Sequence, residues 1–197
     1  MDNKTAIEEL SYIKEIMQDS RKTFVYNGYD YIFWGIIIVI GLLSSYISLV
    51  EHLDINISII WIALIVIGWV FSIIMSVIGK KKRKASTFAG KIIGGVWFSA
   101  GVTMTLIGFV GTTSGAINGV FINPAISLIL GMAFFITGII YGSKLISSVS
   151  VGWWAGAILM FYWHGIQNFL IMAFMMFAFQ IVPGILLYKK AKREIED

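Results

Sequence analysis

Six apolar runs, each close to or beyond twenty residues, occupy most of this chain, and short connections separate them. About 30 Å of hydrocarbon needs roughly 20 helical residues to cross. The runs are Tyr31–Val50, Ile57–Gly79, Gly90–Gly111, Pro124–Gly142, Leu145–Trp163 and Phe169–Tyr188. In lipid only helices and closed barrels satisfy their own backbone. Runs this long and continuous read as helices. The expected fold is all-α: a polytopic membrane protein whose six transmembrane helices form three hairpins, preceded by a cytoplasmic N-terminal amphipathic helix. Residues 1–29 form the leader, 30–188 the bundle and 189–197 a basic cytoplasmic tail. Charged residues make up 13% of the 197, about half the share of a soluble domain.

The fifteen Lys and Arg residues define the orientation. Lys4, Lys14, Arg21 and Lys22 precede the first span. Lys80, Lys81, Lys82, Arg83, Lys84 and Lys91 connect the second to the third. Lys144 lies between the fourth and fifth, and Lys189, Lys190, Lys192 and Arg193 follow the sixth. The opposite connections hold none. The excess of basic residues places both termini in the cytoplasm. Tyr26, Tyr29, Tyr31, Trp34, Tyr141 and Tyr188 fall at the inner boundary, with Tyr46, Trp61, Tyr162 and Trp163 at the outer one. The run Lys80–Lys84 reads as a contact for anionic lipid headgroups, and no nucleic-acid partner is expected. The polar, mixed-charge start does not resemble a secretory signal. The Ile-, Lys- and Asn-rich composition suits the inner membrane of a bacterium.

Residues 5–24 are the one substantial polar element. Thr5-Ala6-Ile7-Glu8 matches a capping box. Ile7, Leu10, Ile13, Met17 and Phe24 share one helical stripe. Leu10, Ile13 and Met17 are therefore candidate partner contacts. The stripe is compatible with lying on the membrane, docking a cytoplasmic protein or forming a short self-association seam. Asn27-Gly28 ends the helix.

Small residues recur four apart as Gly95/Ser99/Thr103, Gly138/Gly142 and Gly152/Gly156. Such spacing lets membrane helices approach closely, within a chain or in a homo-oligomer. Trp34, Trp97 and Trp154 sit beside small residues in the odd spans, about 60 residues apart, in the manner of a parallel two-helix repeat.

The leader Ile13-Lys14-Glu15-Ile16-Met17-Gln18-Asp19-Ser20-Arg21, running into Tyr31-Ile32-Phe33-Trp34-Gly35, resembles the start of uncharacterised bacterial six-span membrane proteins. The Gly-rich hairpin plan is similar to that of the short-repeat acid-resistance membrane proteins. Members of the first group are often encoded beside helix-turn-helix regulators, which implies a regulatory or envelope-stress role. Neither resemblance brings a catalytic motif.

Chemistry-bearing residues are sparse. No Asp, Glu, Lys, Arg or His falls deep inside any of the six runs, which argues against a proton-coupled pump. Cysteine is absent, excluding disulfides, thiolate nucleophiles and cysteine metal sites. No phosphate-binding loop, HExxH or GxSxG occurs, so no enzyme and no cofactor are expected. The polar candidates within the spans are Thr103, Thr105, Ser127, Thr137, Ser147, Ser148, Ser150 and Gln180. Hydroxyls usually bond back to their own helix. Gln180 is costlier to bury and precedes the helix-disturbing Pro183, so an interhelical hydrogen bond is expected there. Asn123-Pro124 reads as a cap and first helical residue. On the outer face His52, His164, Glu51 and Asp54 are candidates for a zinc or pH-sensing site, provided their loops meet. Met172, Met175 and Met176 share a face near Met160 and His164, a donor set suited to Cu(I) and equally to packing. The expected function is non-enzymatic, acting through protein or lipid interaction. The alternative is a small passive transporter or channel.

Overall fold

The computed structural model describes residues 29–82 and 88–196, with side chains described for 29–78 and 89–189. The leader readings (the Thr5 cap, Leu10, Ile13 and Met17) lie outside the described residues, as do Arg83 and Lys84. The described residues are helical, without strands. Helix α1 spans Tyr29–Val50, α2 Ile57–Lys82 and α3 Phe88–Thr105. They are followed by α4 Ile122–Tyr141, α5 Lys144–Tyr162, α6 Gln167–Met176 and α7 Val182–Glu196. Two π-helical segments interrupt this order: Leu106–Gly111 extends α3, and Phe177–Ile181 joins α6 to α7. Six helical stretches are long and apolar enough to cross a membrane.

Boundaries differ from the sequence reading at informative places. The first span is already helical at Tyr29, the first described residue, so Asp30 lies within the helix. Asn123 is not a cap. Asn118 accepts from the Val120 N–H instead, and a short 3-10 turn, Gly119–Phe121, leads into α4. Pro124 still lies in the first turn of α4, where a missing N–H costs no helical bond. The final helix continues to Glu196, so the basic tail extends the sixth span rather than leaving it.

Each span touches the next. The Trp34 indole donates to Ser72 Oγ on α2 at 2.8 Å, and Trp61 on α2 donates back to Ser45 Oγ at 3.0 Å. Trp69 reaches Thr105 on α3, and Trp97 on α3 donates to Thr137 Oγ1 on α4 at 3.1 Å. The turn between α4 and α5 is tight. Gly142 adopts φ +61°, its N–H bonding to Gly138 and Ile139, while the Ser143 N–H reaches the Gly138 carbonyl. This is a Schellman-type ending, and the left-handed residue favours glycine. A Cβ on Gly138 would lie 2.5 Å from the Ser147 backbone nitrogen. Gly152 accommodates the Phe179 ring and Gly156 the Met175 thioether, seating the sixth span on α5. Gly35 against Ile181, and Tyr29 against Tyr188 with centroids 4.7 Å apart, return the sixth span to the first.

The spans are unequally used. Within their most apolar windows, 33% of α1, α4 and α5 and 44% of the sixth span are buried, against 6% of α2 and 11% of α3. The enclosed centre consists of Phe134 on α4, Trp153 and Met160 on α5, and Met172 and Met176 on α6, none more than 2% exposed. The α5 and α6 residues recur at helical spacing along one face. Without a hydrophobic force between helices in lipid, such packing and the interhelical hydrogen bonds hold the bundle together.

Candidate functional site

The concentration of buried polarity lies at the end of the bundle that carries Lys144 and Lys189. Gln180, 3% exposed, stands in the π-helical segment Phe177–Ile181. That segment has a physical cause two residues on. Pro183 carries no N–H, so it cannot close the usual bond to the Phe179 carbonyl. The Val182 N–H bonds instead to the carbonyl of Phe177, five residues back. Single π turns of this kind recur at functional sites. Gln180 Nε2 donates across the bundle to the Tyr31 carbonyl at 3.4 Å, a long bond. Its Oε1 is buried without a partner among the described residues.

Tyr31 is 5% exposed. Its ring meets the edge of Trp97 at 5.0 Å and stacks on Phe134 at 5.5 Å. Phe134 in turn stacks on Trp153 at 6.1 Å, and Trp153 meets Phe179 edge-on. An aromatic ladder therefore runs from α1 through α4 to α5 and the sixth span. The Tyr31 hydroxyl, the neighbouring Asp30 Oδ1 and the Trp153 Nε1 are all buried without hydrogen-bond partners among the described residues. Such groups each cost a desolvation penalty of about 1–3 kcal/mol. Several in one core are a feature that calls for a role.

Asp30 and Tyr31 escaped the sequence reading as site residues. Asp30 stood just outside the apolar run and Tyr31 read as an interfacial anchor. The available signal was a carboxylate next to a long apolar run, on the side where the other flanking charges are mostly basic.

The other candidates disperse. Glu51, His52 and Asp54 are exposed on the turn after α1, with His52 at φ +50°. His164 is also exposed, its ring edge-on to Phe121 at 5.5 Å. Among the described residues, no three His, Asp or Glu side chains are grouped to hold a metal ion. Met160, Met172, Met175 and Met176 belong to the packed core. Most intramembrane hydroxyls bond to their own helix: Thr103 to Ser99, Thr105 to Gly101 and Thr137 to Ala133. Ser127 is the exception, donating to the Trp153 carbonyl on α5 at 2.7 Å. At the opposite end of the core, Asn168 donates to the Met160 carbonyl and leaves its Oδ1 unpaired among the described residues.

Length, composition and helical content define the class: among the described residues, an all-helical protein with six helices long and apolar enough to cross a membrane. Compared with known proteins, the chain matches no family model, no curated protein and no solved structure.

Proposed function

We propose that this is a non-enzymatic membrane protein that acts by interaction. Its cytoplasmic leader, residues 5–24, contacts a soluble partner through Leu10, Ile13 and Met17. Three hairpins in series anchor it in a bacterial inner membrane with both termini inside, and the Lys80–Lys84 run engages anionic headgroups. The observation that carries this reading is the contrast between a filled centre and unused outer faces. Phe134, Trp153, Met160, Met172 and Met176 occupy the middle of the bundle, while α2 and α3 direct most of their apolar surface outward. A regulatory or envelope-stress role follows from the resemblance of the leader.

The test is native mass spectrometry of gently extracted full-length protein beside a form lacking residues 1–28. A stoichiometric protein partner lost with the leader supports the reading. An intact, partner-free bundle in both forms removes it.

A second reading, a passive path for a small polar solute, is favoured by the unpaired buried atoms at three depths. These are Asn168 Oδ1, Trp153 Nε1, and Tyr31 Oη with Gln180 Oε1. It requires solute flux by the truncated bundle in proteoliposomes.

A further inference from the structure

The contacts among α1–α4 repeat one recognition unit. A tryptophan ring lies over a small residue of the neighbouring helix, and its N–H bonds a hydroxyl one turn further on. Trp61 covers Gly41 and bonds Ser45; Trp34 covers Gly68 and bonds Ser72; Trp69 covers Gly101 and bonds Thr105. Trp97 bonds Thr137, with Ala133 in the glycine position. In three of the four, the receiving hydroxyl is already held by the carbonyl of the small residue: Ser45 by Gly41, Thr105 by Gly101 and Thr137 by Ala133. That bond directs a lone pair outward for the indole.

Two further Gly-x-x-x-Ser/Thr units stand open on the α3 span. At Gly95/Ser99 the hydroxyl bonds Val96 instead of Gly95, so the receptor is not set. At Gly108/Thr112, in the π-helical end of the span, the Thr112 hydroxyl bonds the Gly108 carbonyl, with a second contact to the Phe109 carbonyl at 3.1 Å, and nothing lies within 4 Å of a Cβ on Gly108. Three tryptophans lie outside these units: Trp153 is enclosed in the core, Trp154 lies over Gly131, and the third, Trp163, stands exposed. Trp163 is 57% exposed and its indole has no hydroxyl partner among the described residues. All seven tryptophans of the chain lie within the described residues, so the leader supplies none.

We propose that Trp163 of one copy occupies the Gly108/Thr112 receptor of a second copy, forming a two-fold dimer about the membrane normal. Depth supports this pairing. Thr112 is the first residue beyond the third span and Trp163 the first beyond the fifth. Both lie at the end opposite Lys91 and Lys144. Topology supports it too. Helix α4 packs between α3 and α5, and it presents Leu128, Met132, Phe135 and Ile139, each at least 41% exposed, along one outward stripe. A two-fold axis beside that stripe sets α3 of each copy against α5 of the other. The contact is then reciprocal and closed.

The chain has no cysteine, so reporters can be placed freely at exposed positions beside the unit. Full-length Thr113→Cys and Tyr162→Cys proteins, differently tagged, are co-expressed and oxidised in their membrane. A mixed cross-linked dimer, absent when either variant is expressed alone, is the expected result. Adding Trp163→Ala or the shape-conserving Thr112→Val to the pair lowers its yield at limiting density about fivefold. No mixed dimer, equal cross-linking by single variants, undiminished yield in Trp163→Ala, or a Tyr162→Cys protein linked only to a different polypeptide would each overturn the proposal.

Discussion

Asp30 carries a carboxylate oxygen that is costly to bury. Its Oδ1 is buried next to the first described residue of α1 and meets no partner among the described residues. Exchanging a partly buried carboxylate, one oxygen of which meets no partner among the described residues, for a neutral amide removes a desolvation cost. Asp30→Asn is therefore expected to raise the thermal midpoint of the detergent-solubilised protein by several degrees. A lowered midpoint would mean that a cation holds the carboxylate. Gln180→Leu follows the same logic, because it removes an unpaired Oε1 and only a long hydrogen bond. Equal or higher stability is expected, with function lost if the amide serves a ligand. Gly138→Ala has the opposite sign. The added methyl meets the Ser147 backbone, which cannot rotate aside, and a cost of about 1–3 kcal/mol is expected from overpacking. Thermal unfolding that leaves this variant unchanged would contradict the packing of α4 on α5.

At the scale of elements, the bond from the Trp97 indole to Thr137 joins α3 to α4. A double-mutant cycle with Trp97→Phe and Thr137→Val should give a coupling near 0.6 kcal/mol, the average for hydrogen bonds between membrane helices. Strict additivity would show the two residues to be independent. These elements were unevenly legible in the sequence. The six spans are visible in hydropathy alone, since length and the absence of charge dictate them. The Gly-x-x-x-Ser/Thr units are also present as letters, but the tryptophan that fills each occupied one comes from another helix. Only the three-dimensional pairing reveals it. The π turn at Phe177–Ile181 was half legible: Pro183 announced a disturbance and Gln180 an interhelical hydrogen bond, but neither the π geometry nor Tyr31 as the acceptor was visible. The outer histidines illustrate the converse. Their residue types suit a metal, yet ring packing of His164 on Phe121 answers to shape, which the sequence does not display.

For the molecule as a whole, the first and sixth spans meet. Gly35 rests on Ile181, Gln180 bonds the Tyr31 carbonyl and Tyr29 packs on Tyr188. Removing residues 167–197 should therefore destabilise α1 more than α2, although α2 is nearer in sequence to the cut. Hydrogen exchange of α1 amides in the truncated protein checks this, and unchanged protection would refute it. Such a deletion also uncovers Trp153 and Met160 on α5, which pack into the same core.

The meeting of the first and last spans has a temporal meaning. A ribosome delivers α1 to the bilayer before α4 or the sixth span exists. Tyr31 and Leu42, 5% and 1% exposed in the finished molecule, must then face lipid or an insertion factor. The α1–α2 pair can close at once through Trp34 and Trp61. The inner face of α1 waits until the sixth span arrives. An incomplete chain thus displays a tyrosine, a carboxylate and an open aromatic surface inside the membrane, a visible mark for quality control. Completion of the sixth span erases that mark, so the seam between the first and sixth spans reports that the bundle has closed.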